Sequence, residues 1–217
     1  MIIFKYSTKR EIGNYFSTLG SINHLSNEKP KNYYIIKESG FDPDNERDVT
    51  KYFAQNAENQ RDYIAEKTKS IENNWRKIEK PFFKKADEFF ETNETQDNLT
   101  AFLTFNVCCG YNTGQGYFFV CFGRPDPNSN IIHEILHFYT HKLIAPEFKK
   151  AGLPYESFND FKEALTFVMN YEFSEFLPSH REEGYEKQKK LIEFLESKYK
   201  HGMKANKVAE IAIKYLQ

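Results

Sequence analysis

Apolar positions recur at helical spacing at both ends of the chain and in β-like runs between them. Over residues 48–92, Ile64, Ile71, Trp75 and Ile78 keep a helical period. Pro81 predicts the start of a second helix there, since proline fits the first helical turn, with Phe82, Phe83, Phe89 and Phe90 along it. Residues 183–217 predict two amphipathic helices broken at Gly202. Leu191, Ile192, Leu195 and Tyr199 mark the first; Val208, Ile211, Ala212 and Tyr215 mark the second. Met1–Ser7 reads as a short strand. Thr100–Cys109 and Tyr117–Phe122 are rich in β-branched and aromatic residues and flank the turn-rich stretch Gly110–Gly116, which predicts a hairpin.

Two more helices are predicted near the middle of the chain. Asn130–Leu143 follows a loop marked by Arg124-Pro125 and Asp126-Pro127, and Asn128, Ser129 and Asn130 offer N-cap oxygens. Phe158–Tyr171 carries the stripe Phe158, Phe161, Leu165 and Val168. Phe167 and Tyr171 lie elsewhere on the wheel, so this helix is expected to be buried nearly all round. The class is therefore α+β.

Composition changes this picture little. The chain has 217 residues and 25.7 kDa, the size of one domain, here a helical region 48–92, a core 100–172 and C-terminal helices 183–217. A net charge of −1 without charged blocks excludes nucleic acid and anionic membrane as expected partners. The apolar runs are far shorter than a membrane span, and no secretory signal is visible. The expected location is the cytoplasm, although a chain trimmed of its signal would look the same. Many of the 21 Phe and 14 Tyr must be core, and the exposed remainder could line a groove for extended substrates. The odd count of three cysteines suggests a reducing compartment. In the expected hairpin Cys121 faces Cys108 or Cys109 as free buried thiols. Cys108 and Cys109 point to opposite faces of a strand, which argues against a thiolate metal site.

The chemistry sits in His133-Glu134-Ile135-Leu136-His137. On a helix, residues i and i+4 share a face, so both imidazoles can address one metal ion. Glu134, rotated by about 100° from His133, stands beside the ion, where it can take a proton from water. Two histidines and a glutamate on a nearly all-apolar helix are costly to bury without partners. A catalytic zinc takes three protein ligands. His141 is not the third, because His133 to His141 spans about 12 Å of rise. The three-histidine motif would also need Gly and His where Thr140 and Leu143 stand. Glu163, a lone carboxylate on the second helix, is the better candidate. Glu156 and Asp160 are its rivals, and a Glu favoured by the dipole of an exposed first turn is the bland alternative.

HEILH followed by a helical Glu163-Ala164-Leu165-Thr166 resembles the gluzincin branch of the zincin metallopeptidases, over residues of about 100–172. The resemblance implies a zincin-like fold with a small antiparallel or mixed sheet packed on the HExxH helix. It implies zinc (Zn2+) held by His133, His137 and Glu163, with Glu134 as general base. It also implies a substrate strand upstream, for which Tyr117, Phe119 and Cys121 are the candidates, binding by strand addition at a sheet edge. An oxyanion donor is expected after the third ligand, where Tyr171, His180, Arg181 and Tyr185 stand; His180 and Tyr185 are taken as the catalytic candidates. Phe167 occupies the place where several gluzincins put an acidic supporting residue, so support is expected from Asn170 or Asp160. The expected function is zinc-dependent hydrolysis of peptide bonds in a peptide or protein substrate. A zinc hydrolase of another bond and a latent, non-catalytic binding protein are the alternatives.

Overall fold

A computed structural model describes residues 1–25, 29–94, 96, 98–106, 110–177 and 181–217. The fold is α+β, with nine α-helices and one mixed four-stranded sheet among the described residues. No helix among them is long and apolar enough to cross a membrane. The chain divides into two compact units, Met1–Asn74 with Asn98–Asn130 and Trp75–Asp97 with Ile131–Gln217.

The first unit holds β1 (Ile3–Tyr6), α1 (Thr8–Leu25), α2 (Lys31–Glu38), α3 (Glu46–Asn59) and the start of α4 (Arg61–Phe90). It also holds β2 (Thr100–Thr104), β3 (Tyr111–Asn112) and β4 (Tyr117–Cys121). Strand order is β1-β2-β4-β3. β2 runs parallel to β1 and to β4, with Thr100 opposite Tyr117 and Thr104 opposite Cys121. The expected hairpin between these two runs is therefore not formed. The true hairpin is the short antiparallel pair β3–β4, with Tyr111 opposite Phe118. The reason lies in the runs themselves. Ala101, Phe102 and Leu103, like Phe118, Phe119 and Val120, are buried in succession, so both faces of each strand are covered. Unbroken apolar runs of this kind suit parallel strands, and residues 105–116 give the dozen or so that a parallel return needs. β4 is also not an edge: β2 and β3 flank it, and β1 and β3 are the edges. Cys121 is buried and free, whereas Cys108 and Cys109 lie outside the described residues.

Tyr15, Leu19, Ile36, Val49 and Phe53 form the helical core of this unit. Asn45 caps α3 by accepting from the Arg47 and Asp48 N–H groups. A buried polar knot ties α1 to the end of β2. Glu11 accepts from Phe105 N–H at 3.0 Å and Asn106 Nδ2 at 3.2 Å, and Asn14 donates to Thr104 Oγ1 at 3.1 Å. Burial pushes the Glu11 carboxyl up from 4.5 to about 7, against hydrogen bonds from Thr104, Phe105 and Asn106 that pull it down. The folded chain thus holds this proton more tightly than the unfolded chain. Stability from Glu11 should be full below pH 4.5 and be lost as pH rises through about 7. The loss should reach about 3 kcal/mol. Urea midpoints between those pH values should fall for the wild type and stay flatter for Glu11→Gln. Equal slopes for both would exclude Glu11 as the titrating group.

The second unit holds the rest of α4, most of α5 (Pro127–Leu143), α6 (Ala145–Lys150), α7 (Tyr155–Ala164), α8 (Lys189–Lys198) and α9 (Ala205–Leu216). Pro81 does not begin a helix; it lies inside α4, and the break falls at Gln60 instead. A proline there removes one main-chain hydrogen bond. Packing holds the helix through it: Trp75 and Phe82 are fully buried with ring centroids 5.3 Å apart, and Phe82 meets Phe173 at 5.6 Å. Phe90 stacks on Tyr139 of α5 at 4.9 Å, and the Tyr139 hydroxyl donates to Asp87 at 2.5 Å. α5 begins at Pro127, ahead of the expected cap residues. Asp126 does the capping, accepting from Asn128 N–H at 3.1 Å and, through its carbonyl, from Ser129 Oγ at 2.8 Å.

The second predicted helix also differs. It starts at Tyr155 after Pro154 and tightens into a 3-10 turn, Leu165–Asn170. Leu165, Thr166, Phe167, Val168 and Met169 are all buried, so every face of that turn is packed. Thr166 Oγ1 donates to the Glu163 carbonyl at 2.7 Å, a side-chain bond that competes with the helical ladder. The C-terminal pair α8–α9 is broken, as expected, around Gly202, whose φ of 85° is open mainly to glycine.

Candidate metal centre

α5 brings His133 and His137 together at helical spacing, with ring centroids 4.5 Å apart and planes at 79°. Their neighbours Ile131, Ile132, Ile135, Leu136 and Phe138 are buried, as are His137 and Glu134. Glu163 lies in the last turn of α7, not the first, so the dipole alternative falls away: a helix C-terminus disfavours a carboxylate. Local partners hold it there. Glu163 Oε2 lies 3.6 Å from His133 Nε2 and 3.4 Å from His137 Nε2. The ligand atoms of the three residues lie within 4.8 Å of one another. A tetrahedral ion with bonds of about 2.0–2.1 Å sets its ligand atoms about 3.3 Å apart. The two edges to Glu163 meet that spacing within a few tenths of an ångström, so this group could hold a metal ion.

The other Glu163 oxygen is taken. Lys162 Nζ lies 2.6 Å from Oε1, and its side chain is only 4% exposed. On the far side of the site, Glu182 Oε2 stands 3.7 Å from His133 Nδ1. Asn170 places Glu182 by a double main-chain bond: its Nδ2 donates to the Glu182 carbonyl and its Oδ1 accepts from the Glu182 N–H, both at 2.8 Å. With both imidazoles neutral, as ligands would be, Glu134, Glu163 and Glu182 set three carboxylates against the Lys162 ammonium among the described residues. The excess of two negative charges is then what one divalent cation would balance.

Titration follows these contacts. Burial pulls the His133 imidazole down, but Glu163 and Glu182, with Glu134 behind them, outweigh it and raise it to about 10. Burial pushes His137 down to about 3, helped by the His133 cation. Glu163 would be raised by burial; the two imidazoles and Lys162 instead hold it far below the ordinary carboxylate range. An ion and the His133 proton therefore compete for the same electrons.

The remaining sequence candidates are placed as follows. Glu156 is exposed in the first turn of α7, and Asp160 accepts from Lys187 Nζ at 2.7 Å and Gln188 Nε2 at 2.8 Å. Both rivals of Glu163 are thus engaged elsewhere or exposed. His141 is outside the ligand group; its ring meets Phe158 edge-on at 5.0 Å. Tyr185 is 58% exposed, and His180 lies outside the described residues. The Tyr171 hydroxyl donates to Glu196 at 3.3 Å. Tyr117, Phe119 and Cys121 belong to the first unit. Tyr117 is half-buried with the Arg10 guanidinium 4.2 Å from its ring, while Phe119 and Cys121 are buried. With β4 paired on both sides, the expected strand addition at β4 has no open ladder at Tyr117 and Phe118.

Sequence reasoning missed Lys162 and Glu182. Lys162 carried a signal, a lysine between the apolar positions Phe161 and Leu165 and next to the proposed ligand, in a stretch expected to be buried nearly all round. Glu182 carried none, since Arg181-Glu182-Glu183-Gly184 has no periodicity. Of the two residues expected to support the site, Asn170 bonds the main chain of Glu182, whereas Asp160 accepts from Lys187 and Gln188. Glu182→Ala should weaken metal binding by about 10- to 100-fold without changing the circular dichroism spectrum. Chelator competition measures this, and an unchanged affinity would remove Glu182 from the support of His133. Comparison with protein-family models, with curated proteins and with solved structures finds no match.

Proposed function

We propose that the chain is a zinc-dependent hydrolase of peptide bonds, in the gluzincin arrangement that HEILH and Glu163 resemble. One observation carries the reading: two imidazoles and a carboxylate from separate helices converge at 3.4 and 3.6 Å, with Glu134 one residue along from His133. Two nitrogens and one oxygen suit zinc better than a hard cation. A zinc ion bound there would supply Lewis acidity, bringing the pKa of water near neutrality and polarising a carbonyl.

The chain's own groups do the rest. His133 and His137 are fixed by the α5 backbone, and His133 is oriented by Glu182. Lys162 holds Glu163 so that Oε2 faces the imidazoles. Glu134, outside the ligand group, takes the proton of the attacking water and returns it to the leaving nitrogen. A purely structural metal site would have no use for such a base.

Elemental analysis of the purified protein should find about one zinc per chain. The loaded protein should cleave members of a broad peptide library, and chelation should stop the cleavage. No metal after zinc loading would sink the reading as a whole. Bound zinc without peptide cleavage would redirect it to a non-peptide substrate or to a latent site.

A further inference from the structure

The first unit contains a cavity of about 600 Å³ that the metal centre does not use. Pockets of roughly 300–1,000 Å³ are the size that takes small organic ligands. It opens where the parallel strands β2 and β4 end, at Phe105 and at Cys121–Arg124. The region beyond the carboxyl ends of parallel strands is the usual ligand position in sheets of this kind, because the chain leaves the sheet there in loops that can shape a pocket.

The lining has a definite chemistry. Phe105 and Phe122 pack with centroids 4.8 Å apart, and Tyr63 stacks on Phe105 at 6.4 Å and 21°. Tyr63 is nevertheless 40% exposed, so part of its ring is open to a ligand. Gln60 Nε2 donates to Asn56 Oδ1 at 2.7 Å, which fixes two amides on another wall. Lys31 and Arg124 line the same cavity; among the described residues neither is in an ion pair and none of those lining it is acidic. Two uncompensated cations beside an aromatic wall favour an anion joined to a flat ring. The ring stacks on the wall, the anionic group meets Arg124 and Lys31, and the amides read the polar edge of the ring.

We propose that this cavity is a binding site for a small planar aromatic anion, a ring bearing one phosphate or carboxylate. The cavity shares no lining residue with the metal centre, and the test is run in chelator so that a phosphate cannot report on bound metal. Isothermal titration calorimetry would use adenosine 5′-monophosphate and indole-3-acetate as probes, with adenosine and 3-methylindole as their chargeless controls and ribose 5-phosphate and acetate as their ringless ones. At least one probe should saturate below millimolar concentration, and its matching controls should bind about tenfold more weakly or worse. Saturation by the phosphate alone, or by the carboxylate alone, assigns the anionic group. Arg124→Ala, at an exposed position, should weaken the bound probe about tenfold at an unchanged melting temperature. Tyr63→Ala should weaken it through lost stacking; if that variant does not fold, Arg124→Ala decides. The proposal is overturned if neither probe saturates, if the chargeless control of the bound probe binds as tightly as the probe itself, or if Arg124→Ala binds that probe as the wild type does.

Discussion

Glu134→Gln is expected to leave zinc bound and to remove hydrolysis, lowering kcat by about 10²- to 10⁴-fold or more. The substitution is nearly isosteric, so the buried α5 face around Ile131, Ile135 and Leu136 should not repack. The amide still fills the place beside His133, but it cannot accept and return a proton. Metal content and melting temperature should match the wild type, while turnover of the best library peptide disappears. Full activity in this variant would mean that another group moves the proton, and the assignment of Glu134 would fall even with the metal site intact.

Zinc at about a thousand times its dissociation constant should stabilise the wild type by about 4 kcal/mol, or roughly 10 °C in Tm for a chain of this size. In Glu163→Gln that increment should vanish, because an amide oxygen is a far poorer ligand than a carboxylate. Gln is the better variant than Ala here. It keeps an acceptor for Lys162, whereas Ala takes the carboxylate away from a buried ammonium and could cost about 3–5 kcal/mol by itself. Calorimetry with and without zinc separates the two effects. A zinc-induced shift that survives in Glu163→Gln would move the third ligand away from Glu163.

What the sequence made legible was local. His133 and His137 are fixed as neighbours by four residues of helix, and Glu163 stood out as a carboxylate on an apolar surface; both signals survive in any tertiary setting. Strand pairing is not local. Ala101-Phe102-Leu103 and Phe118-Phe119-Val120 look like a hairpin when read along the chain, because a turn-rich stretch separates them. Their lack of alternation was the sign of parallel, doubly covered strands. Pro81 was read by propensity, which the packing of Trp75 against Phe82 overrides. α1 and α2, with the Tyr15–Ile36–Phe53 core, went unread because their apolar positions are mixed with polar ones; in α1 two of these, Glu11 and Asn14, are buried only because they bond to Thr104, Phe105 and Asn106. Glu182 stands beside His133 with its main chain held by Asn170, a relation between a 3-10 turn and a loop that no periodicity encodes.

The Lys162–Glu163 contact also sets which ions the centre would refuse. With Oε1 engaged at 2.6 Å, Glu163 offers a metal one oxygen and not two. Calcium draws its affinity from six to eight oxygens, often with bidentate carboxylates, and magnesium from an octahedron of oxygens it is reluctant to exchange. Two imidazoles and a single-toothed carboxylate give neither ion what it needs. In the proposed zinc site, a buried lysine that looks like a liability beside a cation would act as a filter, discriminating by denticity against calcium and magnesium.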